Sequence, residues 1–133
     1  MDMEPLFSPL SQTEWNILLN ESNQFAVMQG GVVLNEGEIS NSIMILIEGD
    51  LDVCDMSGNE YHSIAVIKQG EVFGEISFFD SEPRTKSVIA KTDVVIGEIT
   101  QTLFSKFRVQ HPHTATRFLI EASRNLAKRF RKL

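Results

Sequence analysis

A segment near the middle of the chain, residues 70–85, combines a glycine, a carboxylate and an arginine at close spacing. Gly74 has no Cβ, so it lets the backbone come close to a ligand. Residues 75–79 can form one turn of helix, and the first amides of such a turn attract an anion. Arg84, stiffened by the preceding Pro83, supplies a planar cationic fork for phosphate oxygens. This segment, called the cassette below, therefore predicts a site for an anionic ligand.

Glu75 is the cassette residue that an anion site alone does not explain. A carboxylate beside a phosphate repels it, unless the carboxylate accepts hydrogen bonds from sugar hydroxyls of the same ligand. Amides and Arg84 for phosphate, together with Glu75 for a ribose, make a consistent set. The residue types therefore predict a ligand that carries both a phosphate and a sugar.

Short runs rich in valine and isoleucine surround the cassette and are separated by turn residues. These runs are 25–28, 32–34, 43–47, 51–56, 61–67, 87–90 and 94–99. Residues 51–56 alternate apolar with polar side chains, which is typical of a half-buried strand. Helical patterns do not separate the runs, so a parallel α/β sheet is not expected. Several short strands at this spacing predict a sandwich or barrel over about residues 23–99.

Helical patterns lie at both ends of this β region. Ser11 and Glu14 form a capping box, which predicts a helix at about 12–20. A second helix is predicted at about 101–110, and Pro112 suits the first position of a last helix at about 112–133. Apolar residues recur along this last helix in steps of three and four: Ala115, Phe118, Leu119, Ala122, Leu126, Phe130 and Leu133. We interpret residues 1–133 as a single domain.

Charge is distributed unevenly along a chain whose net charge is −6. Residues 1–67 contain 11 Asp or Glu and no Lys or Arg, whereas residues 117–133 contain six Lys or Arg and one Glu. The acidic body argues against a broad nucleic-acid surface, so we do not expect this chain alone to bind DNA. The single cysteine, Cys54, fits a reducing compartment. With neither a signal peptide nor an apolar run of about 20 residues, we predict a cytoplasmic protein that does not bind membranes.

At the cassette the sequence resembles the cyclic nucleotide-binding domain family, of the catabolite-activator and kinase-regulatory-subunit type. The family's phosphate-binding cassette reads approximately Phe-Gly-Glu-Leu-Ala, then a short loop, then Pro-Arg-(Ala/Thr/Ser)-Ala-(Thr/Ser)-Val. Here residues 73–77 read Phe-Gly-Glu-Ile-Ser, and residues 83–88 read Pro-Arg-Thr-Lys-Ser-Val. The stretches 33–38, 43–53 and 90–95 resemble further parts of the family's β region, so the likeness covers nearly the whole chain.

The resemblance implies an α+β, mainly β fold: an eight-stranded antiparallel jelly-roll β-barrel with flanking N- and C-terminal helices. It also implies a cyclic nucleotide site formed by Phe73, Gly74, Glu75, Ile76, Ser77, Arg84 and Thr85. Phosphate would meet Arg84 and the amides around Ile76 and Ser77, and the ribose 2′-hydroxyl would meet Glu75. We expect cAMP as the ligand. cGMP stays open, because a threonine at the position of Thr85 can help to bind guanine in the family.

The function implied is a non-enzymatic regulatory module whose ligand moves the last helix. Two departures from the family pattern matter. Lys86 stands where a small residue is usual, and it either adds a cation at the mouth of the pocket or points into solvent. The loop 38–42 lacks the family's Pro-Gly-Asp type of turn.

Several alternatives stay open. The chain is an interaction or dimerisation module without a ligand, or the effector domain of a transcription regulator that lacks its DNA-binding part. Residues 112–133 are the predicted contact of a homodimer. A metal is not expected, because His111 and His113 have no evident third ligand.

Overall fold

The structure, a computed structural model, describes residues 5–132. Its helices are α1 (Gln12–Glu21), α2 (Glu75–Asp80), α3 (Gln101–Gln110) and α4 (Pro112–Arg131). The predicted helices at both ends of the chain are therefore present, and the turn of helix expected in the cassette is α2. Leu133, the predicted end of the last helix, lies outside the described residues.

Eight strands form two four-stranded antiparallel sheets. They are β1 (Asn23–Val27), β2 (Val32–Leu34), β3 (Ile43–Glu48), β4 (Leu51–Ser57), β5 (Glu60–Ile67), β6 (Val72–Phe73), β7 (Ser87–Ala90) and β8 (Val94–Ile99). The strand order is β1-β8-β3-β6 in the first sheet and β2-β7-β4-β5 in the second. Among residues 5–132 no strand pairing joins the two sheets, so the predicted closed barrel is corrected to two facing sheets. Alternation of apolar residues predicts strands, but it does not determine which strand edges pair.

The first sheet is the middle layer of the molecule, because both of its faces are buried. In β3, Ile43 and Ile45 pack with the helices, whereas Met44 and Leu46 pack against the second sheet. Successive side chains of a strand point to opposite faces, which explains this division. The result is a layer of helices, a central sheet and an outer sheet.

The strand that the sequence did not predict, β6, introduces the cassette. Its two residues pair with β3, Val72 opposite Ile45 and Phe73 opposite Met44. Both β6 side chains are buried, with 1% of their surface exposed. A run of two residues is too short to show periodicity, yet its pairing fixes the position of the next residue, Gly74, which caps the N-terminus of α2.

A buried ion pair anchors α4 to α1. Arg117 is 1% exposed, and its Nη2 lies 2.8 Å from a carboxylate oxygen of Glu14. The Glu14 carboxylate also completes the predicted capping box by accepting from the amide of Ser11 at 3.1 Å. Nη1 of Arg117 donates to the carbonyl of Pro5, and Nη2 donates to the carbonyl of Pro9 at 2.7 Å. One guanidinium therefore joins α4, α1 and the segment before α1.

The apolar stripe of α4 is used within the chain itself. Ala115, Phe118 and Ala122 are buried in the cluster between the helices and the first sheet. The ring of Phe118 meets Trp15 edge-to-face, with centroids 6.3 Å apart. None of the helices within residues 5–132 has the length and apolar character that crossing a membrane requires.

Candidate ligand-binding site

Gly74 forms the hinge between β6 and α2. Its φ of 78° lies in the left-handed region, and it caps the N-terminus of α2. A Cβ at this position would lie 3.0 Å from Nη1 of Arg84. Both the backbone conformation and the close approach of the guanidinium therefore require glycine here.

Arg84 is held deep in the site by three acceptors. Its Nε donates to Ser40 Oγ at 2.9 Å, Nη1 to the carbonyl of Gly74 at 3.0 Å, and Nη2 to the carbonyl of Ser42 at 2.8 Å. The backbone of Arg84 also pairs with the carbonyl of Glu38 at 2.9 Å. The loop 38–42, which departs from the family's turn, therefore positions the arginine. Sequence reasoning did not connect this loop with the site.

The charge of Arg84 is not neutralised by a carboxylate within residues 5–132, although the side chain is only 4% exposed. Burial lowers the pKa of Arg84, while the more distant Glu38 and Glu98 raise it. A guanidinium has five N–H donors, and the three bonds to Ser40, Gly74 and Ser42 use three of them. Two donors and an unpaired positive charge are left for an anion.

Glu75 is fully buried, and its two oxygens differ. Oε1 accepts from Nη1 of Arg129 at 2.7 Å. Oε2 has no hydrogen-bond partner among the described residues. Burial raises the pKa of Glu75, and the nearby Arg129 opposes that effect. An unpartnered buried oxygen is costly, so Oε2 is an acceptor that a hydroxyl of a ligand would satisfy.

Arg129, at the end of α4, is the site residue that sequence reasoning missed. Besides pairing with Glu75, it donates to the carbonyl of Val72 at 3.2 Å. It thereby ties the end of α4 to β6 and α2. The one available signal was that this arginine interrupts the spacing of the apolar stripe, which by itself names no partner.

One cavity of about 910 Å³ lies between the cassette, the outer sheet and the end of α4. All seven predicted site residues line it: Phe73, Gly74, Glu75, Ile76, Ser77, Arg84 and Thr85. Apolar side chains form part of the remaining wall, including Ile64 and Val66 of β5 and Phe130 after the last buried turn of α4. The structure thus brings the predicted residues together, while their role in binding stays a prediction.

Lys86 lies in the wall of the same cavity and is paired. Its Nζ lies 2.6 Å from a carboxylate oxygen of Asp55 on β4, and both side chains are partly exposed. The hydrogen bond that Lys86 donates to the Asp55 carboxylate is the main reason that the pKa of Lys86 is raised. The sequence left two orientations open for Lys86. In the structure its side chain lies at the cavity wall, where Asp55 of β4 holds it.

The arrangement suits an anionic sugar ligand. The amides of Ile76 and Ser77 belong to the first turn of α2, where backbone N–H groups have no acceptor within the helix. Arg84 and Glu75 then offer donors and an acceptor within the same cavity. No cluster of three or more potential metal-ligating side chains occurs in the part of the chain that the structure describes.

Comparison with known proteins identifies the family of the chain. The sequence profile of the cyclic nucleotide-binding domain matches residues 24–111. The cAMP-dependent protein kinase regulatory subunit of Yarrowia lipolytica is 28% identical over 102 residues, which is 77% of this chain and 27% of that protein. The chain therefore spans about a quarter of the length of this relative.

Solved structures share the fold. A cyclic nucleotide-binding domain from Methylobacillus flagellatus superposes with a TM-score of 0.82 at 23% identity, covering 96% of this chain and 72% of that one. The regulatory domain of Toxoplasma gondii PKA, crystallised with cAMP, superposes with a TM-score of 0.63 at 20% identity, covering 76% of this chain and 39% of that one. Because the family match covers more than half of the chain, the protein belongs to the cyclic nucleotide-binding domain family.

Proposed function

We propose that the chain is a regulatory module that binds cAMP, or alternatively cGMP, in the cavity between the cassette and α4. One observation carries the proposal. A fully buried carboxylate with an unpartnered oxygen, Glu75 Oε2, lines the same cavity as a buried arginine that has no carboxylate partner within residues 5–132, Arg84. A cyclic nucleotide supplies what both groups lack, a hydroxyl and an anion.

In this proposal the cyclic phosphate lies against Arg84 and the α2 amides. Arg84 is already oriented by Ser40, Ser42 and Gly74, so little conformational entropy is lost when it meets the phosphate. Each charge-assisted hydrogen bond contributes on the order of 1.5–3 kcal/mol. The phosphate is therefore the main source of affinity.

The ribose 2′-hydroxyl donates to Glu75 Oε2. The carboxylate must be ionised for the strongest bond, and Arg129 favours its ionised form against the effect of burial. Through this hydrogen bond the protein would bind a ribonucleotide more tightly than the corresponding 2′-deoxyribonucleotide.

The base is the least determined part of the ligand. Thr85 lines the cavity and is exposed, so its hydroxyl is free to meet either the phosphate or a purine. The relative from Yarrowia lipolytica is named for cAMP, which favours adenine. Thr85 keeps guanine as the alternative.

Arg129 supports the proposed coupling between ligand and α4. It belongs to α4, yet its guanidinium shares Glu75 with the ligand hydroxyl. A ligand that draws the cassette inward would therefore shift the equilibrium position of the end of α4. The proposed role is regulatory rather than enzymatic, because binding alone would produce this effect.

Homodimerisation through residues 112–133 stays a prediction. Since Ala115, Phe118 and Ala122 are buried within one chain, a partner helix would have to use other positions. Phe130, 76% exposed at the end of α4, is one such position. The molar mass in solution, measured by light scattering with and without cAMP, tests this prediction.

Thermal unfolding in the presence of cAMP, cGMP and 5′-AMP tests the proposed function. A ligand that binds the folded state raises the unfolding temperature in proportion to the logarithm of its concentration. We expect cAMP or cGMP to do so and 5′-AMP to have a smaller effect. No shift with either cyclic nucleotide at millimolar concentration would instead favour an interaction module that has kept the fold without the ligand.

A further inference from the structure

The cavity carries more positive charge than a single cyclic phosphate requires. Of the 12 Lys and Arg in the sequence, five line it: Arg84, Lys86, Lys128, Arg129 and Lys132. Two carboxylates line it, those of Glu71 and Glu75. The lining therefore has a formal charge of +3, five cations less two anions, in a chain whose net charge is −6. Such a concentration of cations points to an anionic ligand.

Two of these five cations are neutralised within the protein. Arg129 pairs with Glu75 at 2.7 Å, and Lys86 pairs with Asp55 at 2.6 Å. Three lining cations are then left without an ion pair among the described residues: Arg84, Lys128 and Lys132. One lining carboxylate, Glu71, offsets part of their charge. A cyclic mononucleotide brings one negative charge, which Arg84 matches.

Lys128 and Lys132 have no carboxylate partner within residues 5–132, and both line the cavity. They lie four residues apart at the end of α4, so they share one face of that part of the chain. Arg84 lines the same cavity from the cassette, in the loop before β7. The two centres of positive charge therefore belong to different walls.

The size of the cavity allows a ligand larger than a mononucleotide. Its volume of about 910 Å³ is near the upper end of the range of roughly 300–1,000 Å³ that small-molecule sites occupy. Apolar side chains, Ile64, Val66 and Phe130, line it as well. These surfaces suit the faces of purine bases.

We infer, on the basis of the proposed function, that the same cavity also binds a nucleotide with two separate phosphate groups, and binds it more tightly than a cyclic mononucleotide. Arg84 holds the first phosphate, and Lys128 and Lys132 hold the second. Cyclic dinucleotides and linear nucleoside bisphosphates both have this chemistry. Since both contacts of the second phosphate are exposed, each contributes roughly threefold in affinity, or about tenfold together.

Calorimetric titration of the full chain tests the inference. The probes are cAMP, cGMP, cyclic di-AMP, cyclic di-GMP and adenosine 3′,5′-bisphosphate. We expect at least one two-phosphate probe to bind about tenfold more tightly than the cyclic mononucleotide with the same base. Added salt should reduce that preference, because it screens exposed charges. Comparing the affinities of the cyclic dinucleotides with that of the linear bisphosphate also shows whether the preferred ligand carries its two phosphates in a ring.

The double variant Lys128→Gln/Lys132→Gln tests the assignment of the second phosphate. The ratio of two-phosphate to cyclic mononucleotide affinity should fall to about one, because only the former ligand has a second phosphate for Lys128 and Lys132 to meet. Lys106→Gln, which removes an exposed charge on α3 away from the cavity, is the matched control and should leave the ratio unchanged. Lysines near a helix C-terminus also stabilise the helix, and loss of that effect alone would lower both affinities together.

Each result has a distinct meaning. Equal affinity for one-phosphate and two-phosphate ligands would overturn this inference and leave the proposed function intact. Equal losses for both ligand classes in the double variant would overturn the assignment of Lys128 and Lys132. If none of the five probes binds, the inference and the proposed function both fail.

Discussion

The substitution Glu75→Gln separates the function of the cassette from its stability. Glutamine keeps the size of the side chain and removes the charge at Oε2, the one buried side-chain oxygen within residues 5–132 that has no hydrogen-bond partner. A hydrogen bond to a charged group contributes about 1.5–3 kcal/mol, and about 1.4 kcal/mol is tenfold in affinity. We therefore expect cyclic nucleotide affinity to fall by roughly 10- to 150-fold.

Without ligand, Glu75→Gln should not lose as much free energy of unfolding as it loses in free energy of ligand binding. Burial raises the pKa of Glu75 in the folded state, so the protonated form favours folding and this contribution is lost as pH rises through that pKa. Keeping Glu75 ionised in the folded state therefore costs folding free energy, and a neutral glutamine removes this cost. Its partner Arg129 is about half exposed, so water can solvate the guanidinium once the pair is broken.

Calorimetry with cAMP and 2′-deoxy-cAMP measures the predicted effect, and thermal unfolding measures stability. The wild-type protein should prefer the ribonucleotide, whereas Glu75→Gln should bind both ligands with nearly equal affinity. Glu71→Gln removes a carboxylate that lines the same cavity and is not assigned to the ribose, so it is the matched control. A Glu75→Gln protein that keeps the wild-type preference for the 2′-hydroxyl would refute the role given to Oε2.

Three further predictions follow from the same contacts. Arg84→Lys keeps a cation but loses the fork, so calorimetry should show at least about a tenfold loss of cyclic nucleotide affinity; an unchanged affinity would contradict the phosphate assignment. In the wild type, affinity should decline as falling pH protonates Glu75, and in Arg129→Gln the decline should begin at higher pH, because the group that lowers the pKa of Glu75 is gone. Identical pH profiles would show that Arg129 does not act through Glu75. Arg117→Met leaves Glu14 buried without its partner, so denaturant unfolding should show a loss of about 3–5 kcal/mol, partly restored by adding Glu14→Gln; a loss below about 1 kcal/mol would contradict the anchoring role.

The sequence predicted those features whose determinants lie close together along the chain. The capping box at Ser11 and Glu14 and the helix start at Pro112 are local patterns, and the structure has both. The guanidinium of Arg84 donates to the carbonyl of Gly74, and the two residues lie only ten positions apart in the sequence. The residue types alone predicted an anion and a sugar because their chemistry is independent of the fold.

The family resemblance predicted a closed barrel, and the structure corrected it to two sheets. Side-chain alternation is the same whether a strand edge is paired or free, so it carries no information on closure. The two residues of β6 were missed for a related reason, since a pair of residues has no period. Val72 and Phe73 became recognisable as a strand only through their pairing with β3.

By itself the sequence determined the chemistry of the cassette, from Gly74 and Glu75 to Arg84. The tertiary structure alone decided which distant groups control that chemistry. Arg129 lies 54 residues from Glu75, and Ser40 lies 44 residues from Arg84. Both contacts depend on how α4 and the loop 38–42 pack against the cassette, and packing of that kind is not encoded in any local spacing. That packing left one oxygen of Glu75 buried without a partner in the described chain and Arg84 without a neutralising carboxylate, the two features on which the proposed function depends.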